Sequence, residues 1–135
     1  MNRITRMEIM TLTSVKDIAG NEYQDDWRTE CIGGQGLVVF EELVRKIITR
    51  ESLKFYYTKD GVFIDDLQTS YGKIVLENEN ELVFRTRNST YIFEFKHNLS
   101  KSVVEAFMRF GIEEKEKLDL KEVEKKESLN TLGIN

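Results

Sequence analysis

Cys31 and His97 are the only cysteine and the only histidine of this 135-residue chain, so a thiol nucleophile with an imidazole base would have to be this pair. Their surroundings argue against it. Cys31 falls on the apolar side of an alternating segment, where cysteine behaves as a small hydrophobe. His97 closes a strand-like segment just ahead of a helix cap. One cysteine and one histidine without ligand spacing do not make a zinc site either. Adjacent acids occur at Asp25-Asp26, Glu41-Glu42, Asp65-Asp66 and Glu113-Glu114. Neighbours on a strand point to opposite faces, so Asp65 and Asp66 do not form a carboxylate dyad, and the acidic clusters read as solvated residues. No catalytic residues, no metal and no cofactor are expected.

Binding chemistry has two candidate locations. Gly33-Gly34-Gln35-Gly36 precedes a segment with helical spacing, and free N–H groups at a helix amino terminus attract phosphates and carboxylates. The loop lacks the Lys-Ser/Thr ending of a P-loop and the spacing of a dinucleotide fingerprint. Joined by Arg85 or Arg87 it would make a small-ligand or nucleotide site. The second location is the outer face of an expected sheet, where Lys73, Arg85, Arg87 and Lys96 form a basic stripe mixed with Glu77 and Glu94. Val75, Val83 and Ile92 lie on the same face as an apolar strip. A sheet with apolar residues on both faces needs a second cover, which favours an interaction surface over a catalytic cleft.

The elements that must position these residues follow from periodicity. LVFRTRNSTYIFEFK, residues 82–96, reads as a hairpin turning at Asn88-Ser89, with Phe84 facing Phe93 and Leu82 facing Phe95. Leu82, Phe84, Tyr91, Phe93 and Phe95 then share one buried face. Asp60-Gly61 predicts another two-residue turn, joining LKFYYT to VFID. A three-residue loop at Asn78-Glu79-Asn80, with Asn80 left-handed, sets Ile74 opposite Phe84 and Leu76 opposite Leu82.

Residues 4–15 and 22–32 read as a first strand pair around Ala19-Gly20-Asn21, with Trp27 and Cys31 on the core side. From Leu37 to Thr49 the positions Phe40, Leu43, Val44 and Ile47 recur at helical spacing. Leu99, Val103, Phe107 and Phe110 define an amphipathic helix with Ser102 and Glu105 at capping-box spacing, Asn98 or Ser100 as rival caps and Gly111 as its end. The Glu- and Lys-rich remainder reads as a solvated helical tail.

The expected fold is therefore α+β. It is a mainly antiparallel, strongly twisted sheet or partly open barrel of about seven strands, with one helix inserted after the first two strands. An amphipathic carboxy-terminal helix and a charged helical tail complete it. Residues 1–112 form one α+β domain, and 113–135 an extension. Composition narrows the partners. Twenty Lys and Arg against 24 Asp and Glu give a net charge of −4, which disfavours nucleic acid as a partner. No apolar run is long enough to span a bilayer, and a single cysteine excludes an internal disulfide. A cytoplasmic chain with no membrane partner is the expectation. Its expected role is non-enzymatic binding through a surface, by self-association or by modulating a larger protein, as phage and mobile-element accessory proteins do. A small anionic ligand is the alternative.

Overall fold

A computed structural model describes residues 2–59 and 62–131. Seven antiparallel strands follow one another: β1 (Asn2–Asp17), β2 (Gln35–Arg45), β3 (Ile48–Lys59), β4 (Val62–Gln68), β5 (Gly72–Glu77), β6 (Glu81–Thr86) and β7 (Ser89–Phe95). A short 3₁₀ turn, Trp27–Cys31, lies between β1 and β2, and a helix, α1 (Lys101–Thr131), ends the described chain. Strand β1 pairs with both β2 and β7, and the pairing of Glu51 with Gly72 joins β3 to β5. Six strands, β1, β2, β3, β5, β6 and β7, thereby close into a barrel, and β4 lies along the remaining edge of β3. Closure satisfies strand edges that an open sheet would leave unpaired.

Alternation along each strand fills the interior. Met10 and Leu12 of β1, Val38 and Phe40 of β2, Leu53 and Phe55 of β3, Phe84 of β6 and Phe93 of β7 are fully buried there. The Phe55 ring meets Phe93 edge-on at 5.3 Å between centroids, and Phe40 meets Phe84 at 6.4 Å. A second apolar cluster lies outside the barrel wall. Leu37, Val39 and Tyr56 point outward and are covered, with Ile4, Met7 and Ile9, by Phe107, Met108 and Phe110 of α1. Gly111 lets the helix approach, because a Cβ there would sit 2.7 Å from Leu37 Cδ2 and 2.5 Å from Met7 Sδ.

Several expectations are corrected. The helix expected over Leu37–Thr49 is the β2–β3 hairpin. Its first half is buried on both faces, by the barrel interior on one side and α1 on the other. A doubly covered strand is continuously apolar and loses the period of two. Residues 22–32 are not a strand but a loop with the 3₁₀ turn, capped by the Asp26 carboxylate on the Arg28 N–H at 2.9 Å. Trp27 is accordingly 58% exposed, while Cys31 is buried as expected. The helix does not end at Gly111 but runs on to Thr131 as one element. Its cap is Ser100, whose Oγ accepts from Val103 N and whose carbonyl accepts from Val104 N, and Ser102 of the expected capping box lies inside the helix.

Hairpin registers also move. The β6–β7 loop is Arg87-Asn88, so Phe84 faces Tyr91 and Leu82 faces Phe93. Every partner moves by two residues, an even shift that leaves each side chain on its expected face. Between β5 and β6 the connection is Asn78-Glu79-Asn80 as expected, but Glu77 faces Leu82. A bulge at Val75 absorbs the extra residue, so Ile74 still faces Phe84 while Leu76 faces Val83. Asn80 is not left-handed. The Asn78 side chain makes the turn instead, accepting from Asn80 N and Glu81 N. The Asp60-Gly61 turn lies outside the described residues, although Lys59 pairs with Val62 on either side of it. Residues 132–135 of the tail lie outside them as well.

Candidate functional site

The seam that closes the barrel is where polar chemistry gathers. Gly72 pairs with Glu51 on one edge and Thr86 on the other, and a Cβ at this position would collide with the Arg85 carbonyl oxygen. Ile74 and Phe84 pack inside, so alternation turns Lys73 and Arg85 outward, directly opposite one another. Arg87 stands at the β6–β7 turn. From across the seam β3 contributes Arg50, whose guanidinium carbon lies 5.5 Å from the centroid of the 44% exposed Tyr71 ring. Arg50, Tyr71, Lys73, Arg85 and Arg87, with Thr49, Glu51, Gly72 and Thr86, line an open cleft of about 420 Å³. Two smaller hollows of about 210 and 260 Å³ adjoin it, both also lined by Tyr71.

Four cations and one carboxylate therefore line this cleft. Burial pushes the Glu51 carboxyl above its ordinary range, the facing Glu42 charge adds to this, and Arg6 partly opposes it. Among the described residues none of Arg50, Lys73, Arg85 and Arg87 has an acidic side chain within ion-pair distance. Some cations elsewhere on the barrel are paired: Arg3 with Glu42 at 2.9 Å, Lys54 with Glu41 at 3.6 Å, and Arg6 with Glu8 and Glu77. Like charges directly opposite on a ladder oppose folding, and Lys73 faces Arg85 with no acid to relieve them. This arrangement can hold an anionic group. Among the described residues no group of three His, Cys, Asp or Glu could hold a metal ion.

The structure brings together only part of the expected sites. Lys73, Arg85 and Arg87 meet in the cleft, whereas Lys96 lies past the far end of β7, its N–H donating to Ile9 O at 3.4 Å. Val83 and Ile92 face each other and are half-buried, and Val75 is exposed at the bulge. Gly33, Gly34, Gln35 and Gly36 do not line the cleft. They lead into strand β2, not a helix, so the expected helix-terminus anion site has no helix behind it. Gly33 N–H donates to Leu12 O at 2.8 Å and Gly34 N–H to Cys31 O at 3.0 Å, while Gln35 pairs with Thr11 and Thr58. Gly36 is needed because a Cβ would collide with the Tyr56 carbonyl.

Cys31 and His97 have separate partners. Cys31 is fully buried with Sγ 3.4 Å from the Tyr57 hydroxyl, and exposed His97 has Nε2 3.1 Å from Glu79 O. A further polar cluster is internally satisfied. Arg28 lies 4.1 Å over the Tyr23 ring and donates to Asp26, to Ser89 Oγ at 2.9 Å and to the Tyr91 hydroxyl at 3.1 Å. The Arg28 hydrogen bonds hold the Asp26 carboxyl down at about 2 from its ordinary 3.8.

Arg50 and Tyr71 were not among the residues singled out from the sequence. Arg50 lies at the start of a strand that follows the misread helix, and Tyr71 precedes a glycine whose role appears only when the barrel closes. No protein family, curated protein or solved structure matches this chain with significance, so the reading of the site rests on its own geometry.

Proposed function

We propose that this chain is a non-enzymatic binding protein that holds an anionic group of its ligand or partner, phosphate being the simplest, in the cleft between β3, β5 and β6. The observation that carries this reading is the convergence of Arg50, Lys73, Arg85 and Arg87, without ion-pair partners among the described residues, around exposed Tyr71 in a chain of net charge −4. Four cations concentrated on one face of an acidic chain make a local field that its net charge hides. Two arginines reaching in from opposite sides of the seam suit the fork-like hydrogen bonding of a phosphate or carboxylate.

Thermal unfolding in rising concentrations of inorganic tripolyphosphate tests the reading. A ligand held by the folded state raises the melting temperature in a concentration-dependent way. The rise should shrink strongly in Arg50→Gln/Arg87→Gln protein, which removes one cation from each side of the seam. An unmoved melting temperature in the wild type would contradict the proposal.

A further inference from the structure

The β2–β3 hairpin ends in Lys46-Ile47, with Arg45 paired to Ile48. Such turns favour Asn, Asp or Gly at their left-handed positions, yet here Lys46 takes φ +55° and Ile47 follows it. Ile47 is 98% exposed and Ile48 57% exposed, so the tip is a pair of aliphatic side chains held out in water. A lone exposed isoleucine is ordinary. This pair is set among cations: Arg45, Lys46 and Arg50 are exposed beside it. Ile48, Arg45, Arg50 and Tyr71 line one hollow, and Arg50 and Tyr71 continue into the cleft with Lys73, Arg85 and Arg87. One continuous end of the barrel thus carries an aliphatic tip and six cations.

We infer that this end docks on an anionic lipid bilayer, with Ile47 and Ile48 entering the headgroup–acyl boundary and the six cations meeting lipid phosphates and acidic headgroups. The inference rests on the reading of the cleft as an anion site and names the source of the anions. A bilayer surface presents anionic groups above an apolar layer, which is the complement of cations set behind an apolar tip. Nucleic acid fits less well. Bases stack on aromatic faces, the one aromatic side chain of the cleft, Tyr71, lies under the Arg50 guanidinium, and isoleucines gain nothing against a phosphate backbone. The absence of a spanning apolar run in the sequence bears only on crossing the bilayer, not on lying against it.

Co-sedimentation with vesicles tests the inference, using phosphatidylcholine alone and phosphatidylcholine mixed with phosphatidylserine. Wild-type protein should pellet with the mixed vesicles only, and less so as salt rises. Ile47→Ser/Ile48→Ser protein, whose charge is unchanged, should keep the wild-type melting temperature and tripolyphosphate binding, yet lose on the order of tenfold or more in vesicle affinity. Wild-type protein that stays in the supernatant while still binding tripolyphosphate overturns the lipid inference and leaves the cleft reading intact; failure of both removes both. Undiminished sedimentation of the double variant also overturns it. So does tighter binding to single-stranded DNA that is indifferent to Ile47 and Ile48.

Discussion

Glu51 and Gly72 face each other across the seam of the barrel, and among the described residues theirs is the pairing that joins β3 to β5. The same glycine pairs with Thr86, so one residue without a side chain links three strands and forms part of the cleft wall. Its backbone approaches the Arg85 carbonyl too closely for any Cβ. Closure of the fold and assembly of the cleft therefore depend on the same few atoms.

Gly72→Ala should consequently destabilise the protein by about 1–3 kcal/mol, the usual range for forcing an extra carbon into a packed position. It should weaken anion binding at the same time. Urea unfolding followed by circular dichroism gives the first quantity and titration of the folded variant gives the second. A variant of wild-type stability would mean that β5 has room to move.

Helix α1 is held through its first turns. Phe110 meets Tyr56 edge-on at 4.8 Å and is half-buried, so Phe110→Ala should cost roughly 2 kcal/mol, below the roughly 3–5 kcal/mol of a fully buried phenylalanine. Burial already keeps the Tyr56 hydroxyl from ionising in its ordinary range. Uncovering that ring in the variant should bring its titration, read by ultraviolet absorbance, back towards normal.

Acid should loosen the loop that carries the 3₁₀ turn. The folded Asp26 carboxyl sits at about 2, below its ordinary 3.8, so its bonds to Arg28 contribute fully above 3.8 and are lost as pH falls through about 2. The side chain keeps 22% of its area exposed, which screens the pair and limits the effect. Asp26→Asn protein should be less stable than wild type at neutral pH, with the difference closing towards pH 2. A constant difference down the acid limb would place the cause elsewhere.

Much of the interior was legible because burial on one face enforces alternation. The β6–β7 register was misread by two residues, yet Leu82, Phe84, Tyr91 and Phe93 stayed on the core face because the shift was even. The β2–β3 hairpin was illegible for two reasons. Leu37 to Phe40 are buried on both faces and lose their period, and the turn at Lys46-Ile47 contains no Gly, Asn or Asp to mark it. Trp27 was misplaced because alternation was read into a loop whose order comes from the Asp26 cap and the Arg28 network.

The cleft was half legible for the same reasons. Lys73 and Arg85 belong to strands whose faces were assigned correctly, and Arg87 follows β6 in the turn. Arg50 belongs to the misread hairpin, and Tyr71 is brought to it by a barrel closure that one sequence does not announce.

Lys73 opposite Arg85 separates binding from folding as a reason for these side chains. Arg85→Glu puts opposite charges across the ladder, so it should leave stability unchanged or raise it by about 0.5 kcal/mol while removing anion affinity. Calorimetric titration of inorganic tripolyphosphate into wild-type and R85E protein is the most direct test. The wild type should release or absorb heat with a saturable isotherm that weakens as salt rises, and R85E, with an equal or higher melting temperature, should give no isotherm. Identical isotherms for the two proteins, or none from the wild type, would contradict the assignment of the cleft.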